Sequence, residues 1–211
     1  MITIVILVLA AYLIGSIPTA VWVGKLFYHL DIRKHGSGNA GATNVIRVLG
    51  YKAGIPVMLF DVFKGWIAVK LAWFFPSALL SPDTLIWLAI GLAVAAILGH
   101  IYPVYAGFRG GKGVGTIAGA GIALYPLALL IVLGVFAITL AITRYVSVSS
   151  MLAAVLFPFI VYFITGQHHP ALITLAIFVA FFIPWTHRSN ILRLIRKEEK
   201  KFDFRRKNTR G

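Results

Sequence analysis

Long apolar stretches alternate along the chain with short polar ones, occupying residues 2–27, 54–75, 84–100, 114–142, 147–165 and 171–186. A helix needs roughly 20 apolar residues to cross ~30 Å of hydrocarbon, and most of these runs approach or exceed that length. The stretch 114–142 would extend to ~43 Å as one helix at ~1.5 Å per residue, and Pro126 sits near its middle, so the pattern predicts two short helices there. The expected fold is therefore all-α: a polytopic integral membrane protein with seven transmembrane helices, in one domain over residues 1–211.

Charge orients this plan. Lys25, Arg33, Lys34, Arg47 and Lys52 fall in one loop, Arg109 and Lys112 in a second, Arg144 in a third, and ten more in a basic tail over 188–211, while Lys64 and Lys70 lie within the 54–75 run. The intervening loops, 76–82, the turn near Pro126 and 166–170, hold no Lys or Arg. Under the positive-inside rule the basic loops are cytoplasmic, with the N-terminus outside and the C-terminus inside. Splitting 114–142 into two spans is what places every basic loop on one face. No cation precedes the first apolar run, so it reads as a retained span rather than a cleaved signal.

Composition narrows the classes further. Hydrophobic residues make up 60% of the 211 and charged residues 12%, against about 45–50% and about 25% in soluble domains, so a water-soluble fold is excluded. The net charge of +14 belongs to membrane loops rather than to a nucleic-acid partner. There is no Cys, which removes disulfides, thiolate metal sites and thiol nucleophiles.

The first basic loop, 31–47, carries Gly36, Gly38 and Gly41 among Ser37, Asn39, Thr43, Asn44 and Arg47. Such a loop turns backbone N–H groups toward an anion while hydroxyls, amides and a guanidinium close around it. The plainer alternative is a flexible interfacial loop. In the second, Gly110-Gly111-Lys112-Gly113 leads into a helix containing Thr116, which brings a lysine charge and amides to a helix start. It is not a nucleotide P-loop, because Ala106 and Gly113 stand where that motif needs Gly and Ser or Thr. At the end of the last span, His187 and Asn190 share a helical face. The cations from Arg193 onward read as an amphipathic tail against anionic lipid. Asp61 and Lys64, one turn apart within a span, are either functional or simply paired.

Other chemistries fail on spacing. His-x4-Asp, the pair used by many thioester-dependent acyltransferases, occurs nowhere, nor do Gly-x-Ser-x-Gly or His-Glu-x-x-His. His168 and His169 have no carboxylate near them in sequence and read as interfacial residues. No metal and no cofactor are expected.

Taken together, Gly-Ser-Ile-Pro at 15–18, Gly-Ser-Gly-Asn-x-Gly-Ala-Thr-Asn-x-x-Arg at 36–47, Asp-x-x-Lys-Gly at 61–65, Gly-His at 99–100, Phe-x-Gly-Gly-Lys-Gly-Val at 108–114, Arg-Tyr-Val-Ser at 144–147 and His-x-x-Asn at 187–190 resemble the bacterial acyl-phosphate:glycerol-3-phosphate acyltransferase (PlsY) family over nearly the whole chain. The resemblance implies a seven-helix enzyme of the bacterial inner membrane whose active site faces the cytoplasm. Its substrates would be a fatty acyl phosphate and glycerol 3-phosphate, its products lysophosphatidic acid and phosphate, and its surroundings membrane lipid. By position, Ser37, Arg47, Lys112, His187 and Asn190 match the catalytic motifs. Gly36, Gly38, Asn39, Thr43, Asn44, Gly110, Gly111, Gly113 and Thr116 fall in the substrate-binding loops. Glu199 matches an acidic family position, although Lys197 stands where the family has Gly. The base stays open between His187 and a phosphate oxygen of the donor. A small transporter of phosphate or organophosphate is the rival reading, since it would use the same cations and glycines.

Overall fold

The computed structural model describes residues 2–75 and 80–204. Of the expected outer loop at 76–82, residues 76–79 lie outside the described part, as do Arg205, Arg206, Lys207 and Arg210 of the tail. Among the described residues there is no strand, and ten α-helices follow one another. Contacts divide them into two compact units, one built on α1–α6 and one on α7–α10.

In the first unit, α1 (Ile2–Gly15) and α2 (Thr19–Tyr28) cover the expected first span and are bent by 41° at Ser16–Pro18. Pro18 has no N–H to continue the helical ladder, which accounts for the break there. The short α3 (Ala42–Leu49) precedes α4 (Tyr51–Lys70), and α5 (Pro82–Ile101) starts with Ser81 accepting the Thr84 N–H and Pro82 in the first turn. Helix α1 packs on α5, and α4 on both. The α1–α5 crossing is close because Gly15 lies on the Ala96 backbone and Gly99 on the Tyr12 carbonyl, where a Cβ would overlap. The unit ends with α6 (Val114–Leu124).

The second unit starts at α7 (Pro126–Thr143), with Pro126 in its first turn, so the chain breaks where the proline predicts. It continues through α8 (Val146–Phe159), a π-helical turn over Ile160–Ile164, α9 (Pro170–Thr186) and α10 (Arg188–Ile195). The α9–α10 pair is bent by 54°.

Three segments are long and apolar enough to cross a membrane, Pro82–Ala106, Pro126–Thr143 and Val146–Ile164, or five if each bent pair is one span. Helix α4 has the length but carries Lys52, Asp61, Lys64 and Lys70. Helix α6 has 11 residues, about 16 Å at ~1.5 Å per residue, roughly half the hydrocarbon thickness. Large apolar side chains stand outside the packing, among them Phe181 at 76% and Ile142 at 78% exposure. Surface of this kind needs lipid rather than water around it.

Candidate active site

The first loop is organised around one amide. Asn44, buried at the start of α3, donates from Nδ2 to the carbonyls of Ile32 (3.1 Å), His35 (3.0 Å) and Asn39 (3.0 Å), while its Oδ1 accepts the Ser37 N–H at 2.8 Å. Gly36 turns through φ +65°, and a Cβ there would overlap Asn44 Oδ1, so only glycine fits both the backbone and the contact. The structure thus gives Asn44 a different task from the substrate contact expected of it, because its hydrogen-bonding capacity is turned into the loop. Ser37 is pinned through its N–H and half-buried, as are Asn39 and Thr43. Arg47 is half-buried one turn beyond Asn44.

The second loop also departs from expectation. The Gly110 N–H donates to the Ile101 carbonyl (3.0 Å) and the Gly111 N–H to the His100 carbonyl (3.2 Å). These amides satisfy carbonyls at the C-terminal end of α5, which have no intrahelical partner, and so they are not the anion donors expected of the loop. Thr116 differs too. It is fully buried, with its carbonyl against Gly65 and its Oγ1 buried without a hydrogen-bond partner, rather than standing open at the surface. Lys112 stands half-buried where the loop enters α6.

Arg33 joins the two loops. Its Nε and Nη2 grip Asp31 at 2.9 and 2.7 Å, and Nη1 donates to the carbonyls of Ala106 (2.7 Å) and Arg109 (3.4 Å). These hydrogen bonds hold the Asp31 carboxyl at about 2 against an opposing push from burial, with further help from the Arg33 N–H and the charges of Arg33 and Lys25. The clamp therefore stays ionised at any physiological pH. No local pattern announces it: Arg33 contributes to positive-inside charge in the sequence, while the carbonyls it binds lie more than seventy residues on.

In the second unit, His187 ends α9 and is buried, its Nδ1 lying 2.8 Å from the Ile183 carbonyl oxygen. A carbonyl only accepts, so Nδ1 carries the proton, and in the neutral ring the lone pair is on Nε2. One turn on, Asn190 donates to Glu199 Oε1 at 2.6 Å, which fixes which end of its amide meets the carboxylate. Glu199 also accepts from Ser147 (3.1 Å) and from Arg193 Nε (2.8 Å). Arg193 is thus part of a carboxylate network that orients Asn190, and not only a cation of a lipid-facing tail.

Burial pushes the Glu199 carboxyl up, but hydrogen bonds from Arg193, Asn190 and Ser147 and the Arg193 charge outweigh it, leaving it below the usual glutamate value. A lowered folded-state value means the network stabilises the fold above the ordinary carboxylate range and stops doing so as pH falls through the lowered value. The melting temperature is expected to fall at acid pH, and Glu199→Gln is expected to flatten that part of the profile. An unchanged acid limb in Glu199→Gln would count against the network.

Lys197 adopts φ +60°. The position calls for left-handed backbone, which suits glycine, and lysine keeps it at a cost. Lys197→Gly is expected to be stabilising by up to about 1 kcal/mol through relief of that strain, less glycine's larger unfolded-state entropy. Thermal denaturation checks this, and a clear loss of stability would contradict it.

Residues 5–197 match the glycerol-3-phosphate acyltransferase family. The chain is 47% identical over 203 residues to the glycerol-3-phosphate acyltransferase of Listeria monocytogenes, covering 96% of this chain and 98% of that one. To the enzyme of the same name from Chlorobaculum tepidum it is 43% identical over 232 residues, covering 99% and 100%. It also resembles two crystal structures of PlsY, an integral membrane glycerol 3-phosphate acyltransferase. The glycerol 3-phosphate form aligns with TM-score 0.84, 35% identity and coverage of 95% and 96%, and the lysophosphatidic acid form with TM-score 0.80. With a matching family over most of its length and relatives this similar from end to end, the chain belongs to the glycerol-3-phosphate acyltransferase family of PlsY type.

Proposed function

We propose that the protein transfers a fatty acyl group from an acyl phosphate to the 1-hydroxyl of sn-glycerol 3-phosphate, giving lysophosphatidic acid and inorganic phosphate, the first acylation of bacterial phospholipid synthesis. The observation that carries this reading is the tie that Arg33, in the 31–47 loop, makes to the Ala106 and Arg109 carbonyls just ahead of Gly110–Gly113, which gathers polar and cationic groups on one unit. Family membership supports it, since related proteins are named for glycerol 3-phosphate acylation and have been solved with glycerol 3-phosphate and with lysophosphatidic acid.

Both proposed reactants are phosphates and together bring about four negative charges near neutral pH. Ser37, Arg47 and Lys112 supply opposing charge and a hydroxyl donor, and much of the rate comes from holding the two reactants in attacking geometry. The glycerol oxygen forms a bond to the acyl carbon, the bond from that carbon to the phosphate oxygen breaks, and phosphate leaves with the electron pair. A phosphate oxygen of the donor takes the hydroxyl proton. The donor is already activated, so no covalent enzyme intermediate is required. The missing His-x4-Asp pair supports an acyl phosphate over a thioester donor.

The proposed setting is the inner membrane with seven spans, α6 among them, the N-terminus outside and the catalytic loops in the cytoplasm. There the acyl chain arrives from the bilayer and glycerol phosphate from water. Asp61 and Lys64 are closed on each other rather than open along a path, which supports an enzyme over a transporter. Purified protein supplied with a long-chain acyl phosphate or the matching acyl thioester tests the donor. Product from the acyl phosphate alone is expected, and equal or better use of the thioester would overturn the assignment.

A further inference from the structure

Beneath the Gly110–Gly113 loop lies a buried ionic cluster for which the proposed reaction has no use. Asp61 Oδ1 lies 2.7 Å from Lys64 Nζ, 3.4 Å from Thr19 Oγ1 and 3.6 Å from His100 Nδ1, and Lys64 Nζ also donates to the Ile17 carbonyl at 3.0 Å. Lys64 is 1% exposed, Asp61 4% and His100 6%. Gly115 of α6 closes the cluster from another side, with room for a Cβ only 3.1 Å from Asp61 Cβ. Well-packed apolar residues usually serve stability as well as a buried ion pair or better, so stability alone does not account for this one.

Its position suggests what it does. The cluster ends in the His100 ring, and Gly111 lies directly on that ring: a Cβ at Gly111 would overlap Nε2 and stand 3.0 Å from Cε1. On its other side the same Cβ would stand 3.1 Å from the Ala40 carbonyl of the first loop. The Gly111 N–H is bonded to the His100 carbonyl as well. Gly111 is thus held between the imidazole and the first loop, and the next residue is Lys112.

We propose that His100, seated between the Asp61–Lys64 pair and Gly111, is a positioning residue that sets the height of the Gly110–Gly113 loop and through it the reach of Lys112 toward a phosphate group. The inference rests on the acyltransferase reading for the role of Lys112, but its geometry belongs wholly to the first unit. Removing the ring lets the loop settle, and a displacement of about 1 Å at a phosphate-holding charge costs on the order of a hundredfold in rate.

The test is a double-mutant cycle of His100→Ala with Lys112→Ala in the full-length protein in nanodiscs, read as kcat/KM for acyl transfer and as Kd for glycerol 3-phosphate. His100→Ala alone is expected to lower kcat/KM by about a hundredfold. In the Lys112→Ala background it is expected to change kcat/KM or Kd by less than about twofold, because the group it acts through is gone. Effects that multiply, or a His100→Ala enzyme as active as the parent, overturn the proposal. Should His100→Ala fail to fold, Gly111→Ala displaces the same loop with the buried cluster intact, and the same non-additivity with Lys112→Ala is required of it. A parent protein that binds glycerol 3-phosphate without transferring an acyl group contradicts the acyltransferase reading, and the binding cycle still decides the role of His100.

Discussion

Replacing Lys112 by alanine is expected to lower kcat/KM by about 10²–10³-fold, a loss of the size seen when one preorganised donor to a developing charge is removed. The expectation follows from where the neighbouring amides point. Gly110 and Gly111 spend their N–H groups on the Ile101 and His100 carbonyls, so the loop offers an anion less backbone than its glycines suggest, and the ammonium carries correspondingly more. The lysine is half-buried, where its attraction to a phosphate is screened less than on an open surface. Steady-state kinetics with both phosphorylated reactants varied is the measurement. Activity equal to the parent would remove Lys112 from the mechanism.

The second large effect concerns the fold beneath that loop. Asp61→Leu is expected to destabilise the protein by about 3–5 kcal/mol, because it strands the Lys64 ammonium in an apolar interior with one carbonyl partner. Restoring neutrality with Lys64→Met in the same chain is expected to recover most of that stability, since replacing both partners removes the desolvation cost along with the attraction. Thermal denaturation in one detergent compares the three proteins. Equal melting of Asp61→Leu and the parent would show that Lys64 is not held as the 2.7 Å contact implies. In the double variant, stability and catalysis are expected to separate: folded protein, but with the packing beneath the His100 ring changed and acyl transfer impaired.

Much of the architecture was legible in the sequence because apolar run length and proline position act locally. Pro126 splits the long apolar stretch where its missing N–H and fixed φ demand, whereas the bend at Pro18 went unread because the apolar run 2–27 continues through it. Asp61 and Lys64, three residues apart on a helix, meet as that spacing allows. The site was less legible, for one physical reason. Sequence shows which groups are able to bind an anion but not which are already satisfied by other parts of the chain. Asn44 reads as a ligand and is a loop organiser. The amides of Gly110 and Gly111 read as an anion cradle and cap α5. Arg33 and Arg193 read as surface charge, yet each holds a carboxylate in place. The partners are backbone carbonyls, a backbone amide and carboxylates two and six residues away, and no helical spacing rule identifies them. The left-handed backbone at Lys197 was marked only by the glycine that the family resemblance implies at that position.

The account depends on one surface of the first unit holding phosphorylated reactants for acyl transfer, and one assay addresses this directly. Purified protein in nanodiscs is given a long-chain acyl phosphate, and inorganic phosphate is followed with and without glycerol 3-phosphate. The account predicts phosphate release only when glycerol 3-phosphate is present, matched one for one by lysophosphatidic acid. Release that ignores glycerol 3-phosphate, or none under either condition, would contradict it.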